Sequence, residues 1–121
     1  MQERRRFVRL DTRLVVSYAI VPPTAAQESV TKDIGGGGVC LFVNEPLKPG
    51  TRLQIDLTLP GRERPIRFLG EVVWCESYEV IGATQRARSI EAGVKFLQIN
   101  PADQQTIMQH VILSLQPHQA A

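Results

Sequence analysis

The chain is poor in the residues that most chemistry requires. It has two histidines, His110 and His118, both late in the sequence and neither beside a serine or cysteine in a nucleophile's setting. It has two cysteines, Cys40 and Cys75, too few for a disulfide scaffold or a structural zinc site. Each reads as a small buried apolar residue in a reducing, cytoplasmic setting. The acidic residues are scattered, without the spacing of a carboxylate pair. No run of 18 apolar residues exists, which excludes a transmembrane helix and membrane insertion by one. The opening Met-Gln-Glu-Arg-Arg-Arg-Phe has no apolar run behind it, so no signal peptide is expected. The glycine run at Gly35–Gly38 lacks the Gly-Lys-Ser/Thr that follows in a Walker-type loop. No repeat is visible. Enzyme chemistry, a metal site and a resident cofactor therefore have no supporting constellation.

What is present is one domain's worth of chain, 121 residues with 43% apolar and 21% charged. The net charge is +2, but residues 1–13 hold Arg4, Arg5, Arg6, Arg9 and Arg13 against Glu3 and Asp11. The excess positive charge thus sits on this short segment, and the body is slightly negative. Of the 14 basic residues, 11 are Arg. Arg presents a planar fork that matches phosphate and guanine acceptors two bonds at a time. Composition alone also allows a disordered basic tail. Phe7, Val8 and Leu10 weigh against that, because a floppy tail rarely needs apolar anchors.

The middle of the chain reads as short strands between turn signals. Residues 14–21 are β-branched and aromatic, stopped by Pro22-Pro23. Residues 29–33 and 39–43 are two further candidates, flanking the glycine run. Residues 52–59 alternate cleanly, with Leu53, Ile55, Leu57 and Leu59 on one face, which is the period of a half-buried strand. Residues 66–74 form another strand, with Gly70 as a bulge or a close backbone approach. Residues 76–89 have no clear period and fit a loop or the arm of a hairpin. Residues 92–97 are the last strand. About six strands with regular turn signals favour an antiparallel barrel or sandwich. The glycine run fits a tight turn that needs positive φ, or a backbone nest for an anion.

The period changes at the end. Asn100-Pro101 is a helix start, Asn as N-cap and Pro at the first helical position, with Asp103 in the first turn. Ile107, Met108, Val111, Ile112 and Leu115 fall on one stripe, so the helix, about 101–115, should pack on the barrel, or else on a partner. Pro117 ends it.

Three features stand in order: Arg5-x-x-x-Arg9, Asp33-x-Gly35-x-x-Gly38, and Gly70-Glu-Val-Val-Trp74, followed by Gly93-Val-Lys-Phe96. The chain resembles a PilZ domain, the bacterial receptor module for cyclic di-GMP, from about Glu3 to Leu115. The resemblance implies a mostly β fold, a six-stranded antiparallel barrel with a C-terminal helix. It divides the chain into a flexible Arg-rich arm (1–13), the barrel with its helix (14–116) and a tail (117–121). It implies that Arg5 and Arg9 grip guanine edges and phosphates, that Asp33 accepts bonds from a guanine N–H edge, and that Gly38 lets backbone approach the ligand. Trp74 lies where some members place a ring against a guanine, although a core residue on a strand would look the same.

The chain departs from the family's pattern at Gly35, where the motif has Ser. One hydroxyl is lost, worth ~0.5–1.5 kcal/mol if it bonds the ligand. Arg4, just before the arginine motif, is the position that the resemblance links to stoichiometry. An Arg there accompanies two intercalated ligand molecules, whose four phosphates a third guanidinium helps to offset. The implied function is a cytoplasmic cyclic di-GMP sensor without catalysis, regulating motility or biofilm-type outputs. Its arm closes over the barrel face and the changed surface signals to a protein effector, in trans or through homo-oligomerisation. The alternative is an adaptor of the same fold that binds no nucleotide. A single-stranded nucleic-acid barrel fits poorly, because aromatics are 6% and the body is slightly negative.

Overall fold

The structure, a computed structural model, describes residues 9–22, 24–81 and 86–115. It contains β1 (Arg9–Asp11), β2 (Val15–Ile20), β3 (Gln27–Gly35), β4 (Gly38–Phe42), β5 (Arg52–Leu57), β6 (Ile66–Ile81), β7 (Arg86–Gln98) and α1 (Pro101–Leu115). The ladder runs β2, β5, β6, β7, β4, β3 and back to β2, every pair antiparallel. This ring is the six-stranded barrel expected from the sequence, and closure removes the long free edges that an open sheet would expose. The short β1 pairs with β3 at Arg9↔Gly35, Leu10↔Ile34 and Asp11↔Asp33, beyond the point where β2 has left the same edge.

The alternation read in residues 52–57 is realised as such. Leu53, Ile55 and Leu57 are fully buried, and Arg52, Gln54 and Asp56 face outward. Ile34, Val39, Leu41, Phe68, Val72 and Val94 complete the barrel interior. Truncating one of these large side chains would leave a cavity and cost about 2–5 kcal/mol. Gly70 is a site of close approach rather than a bulge. A Cβ there would run into the Cγ1 of Val94 and lie 3.2 Å from the Lys95 carbonyl, and the β6–β7 register shift between Leu69 and Gly70 places its extra residue, Leu97, on β7.

Between β1 and β2 the main chain leaves the ladder, and Thr31 fills the gap. Its hydroxyl accepts the Leu14 N–H at 2.9 Å and donates to the Thr12 carbonyl at 2.5 Å. Thr31 is fully buried, and these bonds satisfy it where a strand partner would otherwise be needed. The same strap fixes where β1, and with it Arg9, joins the barrel.

Of residues 76–89, open in the sequence between loop and hairpin, the described 76–81 and 86–89 are hairpin arms. The β6–β7 register continues from Cys75↔Ala92 out to Ile81↔Arg86. The helix begins as read, with the Asn100 side chain accepting the Ala102 N–H at 2.8 Å. Its apolar stripe is narrower than expected. Ile107 and Val111 are buried and Met108 is half-buried, but Ile112 and Leu115 are exposed. The reason is geometric. The helix meets β1 and β3, where a single line of i, i+4 residues reaches the barrel, and its last turn lies past that contact. Among the described residues no helix is long and apolar enough to cross a membrane.

Candidate functional site

Two strand irregularities shape the outer face of β3, β4, β7 and β6. In β3 the register against β4 shifts between Thr31↔Leu41 and Asp33↔Cys40. In β6 the register against β7 shifts between Val72↔Val94 and Trp74↔Gly93. Each places one extra residue on the strand, Lys32 and Val73, so that two consecutive side chains leave the same face. Lys32 and Asp33 are both directed outward, as are Val73 and Trp74. A cleft of about 160 Å³ lies between these bulges. Arg9, Asp33, Gly37 and Gly38 form one side of its lining, Cys40, Gly93, Val94 and Lys95 the strands beneath, and Val73 and Trp74 the other side.

Arg9 and Asp33 meet here across 24 residues of sequence. The Arg9 Nε–H donates to Asp33 Oδ1 at 2.7 Å, and Nη2 lies 2.5 Å from the same oxygen. Both side chains are mostly covered, 22% and 24% exposed, so the pair is screened less than one in open solvent. Both contacts converge on Oδ1. Among the described residues no donor reaches Oδ2. The pairing follows from register, because Arg9 stands opposite Gly35 and its side chain reaches diagonally to Asp33.

The glycines act by absence of volume. A Cβ at Gly38 would collide with the Val94 carbonyl and approach the Lys95 Cα at 3.0 Å. A Cβ at Gly93 would collide with the indole of Trp74. The ring therefore lies across Gly93 from the neighbouring strand, 40% exposed, with a face available to the cleft. This overturns the reading of Trp74 as a core residue. The positive-φ reading of the glycine run is overturned as well. Positive φ among the described glycines occurs at Gly50 and Gly61, in other turns. The run instead forms the β3–β4 connection, pinned by the Phe96 N–H on the Gly37 carbonyl at 3.1 Å and the Gln104 Nε2 on the Gly36 carbonyl at 2.7 Å.

Cys40 floors the cleft at 2% exposure, which agrees with its reading as a buried apolar residue. Burial, followed by the nearby charges of Asp33 and Glu91, pushes its thiol up from 9.0 to about 12. It is neutral and unreactive at ordinary pH. Next to the cleft, Glu91 lies buried under two partners. Lys32 Nζ meets it at 3.1 Å, and the Tyr78 hydroxyl donates to its other oxygen. The bond to Glu91 holds the Lys32 ammonium above its ordinary value.

Of the residues singled out in the sequence, Arg9, Asp33, Gly38 and Trp74 are brought to one cleft. Gly35 is buried in the β1–β3 ladder opposite Arg9 and is not part of the cleft lining. Arg4 and Arg5 lie outside the described residues. Sequence reasoning passed over Lys95, Gly93 and the Lys32–Glu91–Tyr78 cluster. Lys95 and Gly93 had a signal. They are two residues apart in a strand, inside the quoted Gly93–Phe96 segment, and so share a face. The cluster had none, because it depends on the bulge at Lys32. No group of three or more His, Cys, Asp or Glu among the described residues is arranged to hold a metal.

Comparison with solved structures finds the same barrel elsewhere. The PilZ domain with c-di-GMP of YcgR from Escherichia coli superposes with a TM-score of 0.73 at 16% identity, covering 92% of this chain and 91% of that one. The inhibitor of motility MotI/DgrA from Bacillus subtilis gives 0.73 at 21% identity, with 93% of this chain and 52% of that one covered. The K. pneumonia MrkH–c-di-GMP complex gives 0.70 at 19%, with 94% and 52% covered. This chain therefore spans about half the length of the latter two. At these identities the likeness is one of fold. No curated protein is matched by the sequence. The PilZ domain family itself matches residues 3–113, nearly the whole chain, and on that match the chain belongs to the PilZ domain family.

Proposed function

We propose that this protein is a receptor for cyclic di-GMP and acts as a regulatory module without catalysis. The observation that carries the reading is the convergence of the Arg9–Asp33 pair, the close backbone at Gly38 and the open face of Trp74 on one cleft. Guanine offers what this arrangement can read. Its N–H edge meets Oδ2 of Asp33, and its ring stacks on Trp74, a contact worth about 1–3 kcal/mol. Complexes with c-di-GMP in YcgR and MrkH, which share the fold, support the same ligand class.

The cleft of about 160 Å³ holds a base rather than a whole dinucleotide, since pockets for complete ligands run to roughly 300 Å³ or more. The rest of the ligand falls to the arginines before β1. Arg5 completes the grip on guanine and phosphate, and Arg4 favours two stacked ligand molecules per chain. Closing that arm over the cleft changes the surface next to β1, and a protein effector reads the change. A micromolar dissociation constant requires about −8 kcal/mol in all, more than one stacked base supplies, so arm, carboxylate and ring act together.

Calorimetry with cyclic di-GMP tests this, with Arg9→Ala and Asp33→Ala in parallel. Binding at micromolar or tighter that both substitutions abolish is the expected result. A ratio near two ligands per chain supports the role of Arg4, and a ratio near one removes it. Gly35, which lacks the hydroxyl of the motif Ser, favours a second reading: an adaptor that binds no nucleotide. No heat and an unshifted NMR spectrum at high ligand concentration would establish that reading instead.

A further inference from the structure

Among the described residues the cleft is lined by two cations, Arg9 and Lys95, and they are differently engaged. Arg9 is bonded to Asp33, which lines the same cleft, so the pair contributes no surplus positive charge to it. Lys95 is on β7, opposite Gly38 on one side and opposite Glu71 of β6 on the other. Its ammonium lies 3.4 Å from Glu71, which is not part of the cleft lining. Glu71 is shared with a second cation, since Arg52 Nε approaches it at 3.9 Å. The Lys95 side chain is 53% exposed, and an ion pair of this kind holds its lysine by little. Four flexible carbons allow the ammonium to leave Glu71 and reach over the cleft.

We propose that Lys95 is a phosphate-binding residue of this cleft, exchanging Glu71 for a phosphodiester oxygen when nucleotide binds. The inference rests on the receptor reading above and names one more contact of that site. Its ground is charge. Each phosphodiester brings a negative charge to a cleft that already contains the Asp33 carboxylate. Among the described lining residues, Lys95 is the cation that no lining carboxylate holds. Its position suits the task. Gly93, under the Trp74 ring, and Lys95 are two residues apart on one face of β7, roughly 7 Å. That is comparable to the separation between a base and its own phosphate within a nucleotide. A guanine on Trp74 with its edge at Asp33 thus brings its phosphate within reach of Lys95. Glu71 serves as the resting partner that the phosphate displaces.

The test is titration of the full chain with cyclic di-GMP at low and high salt, using wild type, Lys95→Met, Lys95→Arg and Glu71→Gln. Melting temperatures without ligand monitor folding. Lys95→Met is expected to weaken binding about tenfold, the effect of losing one charge-assisted hydrogen bond. It should also flatten the salt dependence, because one ionic contact is gone. Lys95→Arg should restore both, and Glu71→Gln should tighten binding by freeing the ammonium. Wild-type affinity and wild-type salt dependence in Lys95→Met would overturn the proposal. So would weakening by Glu71→Gln equal to that of Lys95→Met, since Glu71 would then be a support rather than a competitor. Absence of binding by the wild type overturns the receptor reading and this inference with it, an outcome that the wild-type titration separates from failure of the lysine alone.

Discussion

The indole of Trp74 occupies the space that a Cβ at residue 93 would fill, from the strand next door. Two glycines of the cleft are therefore constrained by different neighbours, and substitution separates them. Gly93→Ala meets a side chain at the cleft surface that has room to move. Gly38→Ala meets the backbone of β7, at the Val94 carbonyl, which has none. Gly93→Ala is expected to cost about 1 kcal/mol and Gly38→Ala about 3 kcal/mol or more, in the range of overpacked interiors. Trp74 is the only tryptophan of the chain. Its emission should shift in Gly93→Ala, with urea denaturation giving the stabilities. Equal stability losses in the two variants would show that the indole is as immovable as backbone.

Arg9 and Asp33 are expected to behave as one unit. Each single substitution leaves the other charge mostly covered and without its partner, so the second should add little to the first. A double-mutant cycle with Arg9→Ala and Asp33→Ala, read by denaturation without ligand, should give a coupling of about 1 kcal/mol. Strict additivity would mean that the pair does not form in solution.

Cys40 sets the response to alkali. Its thiol stays protonated in the folded barrel to about pH 12, whereas the unfolded chain loses that proton near 9.0. Deprotonation between those values favours the unfolded state, so stability falls as pH rises through that window. Lys32 acts in the same direction. Its ammonium is raised by Glu91, so its contribution is complete below 10.5 and is lost as pH climbs through the raised value. Denaturation midpoints at pH 8 and pH 10.5 should decline, and Cys40→Ala should remove part of the decline. At pH 8, iodoacetamide followed by peptide mass spectrometry should leave Cys40 unmodified in the native protein.

Glu91 depends on its neighbours because it is buried as a charge. Tyr78→Phe removes the hydroxyl that donates to it and keeps the ring. A loss of about 1–2 kcal/mol is expected, the penalty of a buried acceptor deprived of a donor. Replacing both groups, as Tyr78→Phe with Glu91→Leu, should recover much of that loss. A Tyr78→Phe variant as stable as wild type would mean that Lys32 satisfies Glu91 alone.

The barrel was legible because its signals are local. Leu53, Ile55 and Leu57 announce a strand by alternation, and Asn100-Pro101 announces a helix start by capping chemistry. Arg9, Asp33, Gly38 and Trp74 were singled out through the family resemblance, and the fold brings them to one cleft. What escaped was set by strand pairing. Thr31 and Ile34 face inward three residues apart, which breaks the period that identifies a strand face, so Lys32 went unnoticed as an extra residue inside β3. The face of Trp74 was equally hidden, because the extra residue at Val73 reverses the alternation set by Val72. The helix stripe was overread for a different reason. Periodicity reports which residues share a side and not how far the barrel beneath them extends.

The bulge in β3 also fixes which residues of that strand are dispensable to the core. Deleting any regular position would turn the inward residues on one side of it outward. Deleting Lys32 would not, because Thr31 would still point in, Asp33 out and Ile34 in, now as a plain ladder against β4. What such a deletion removes is the cation over Glu91. The extra residue is therefore a point where chain length and buried charge are tied together, and a shortened β3 would be tolerated only alongside an apolar residue at 91.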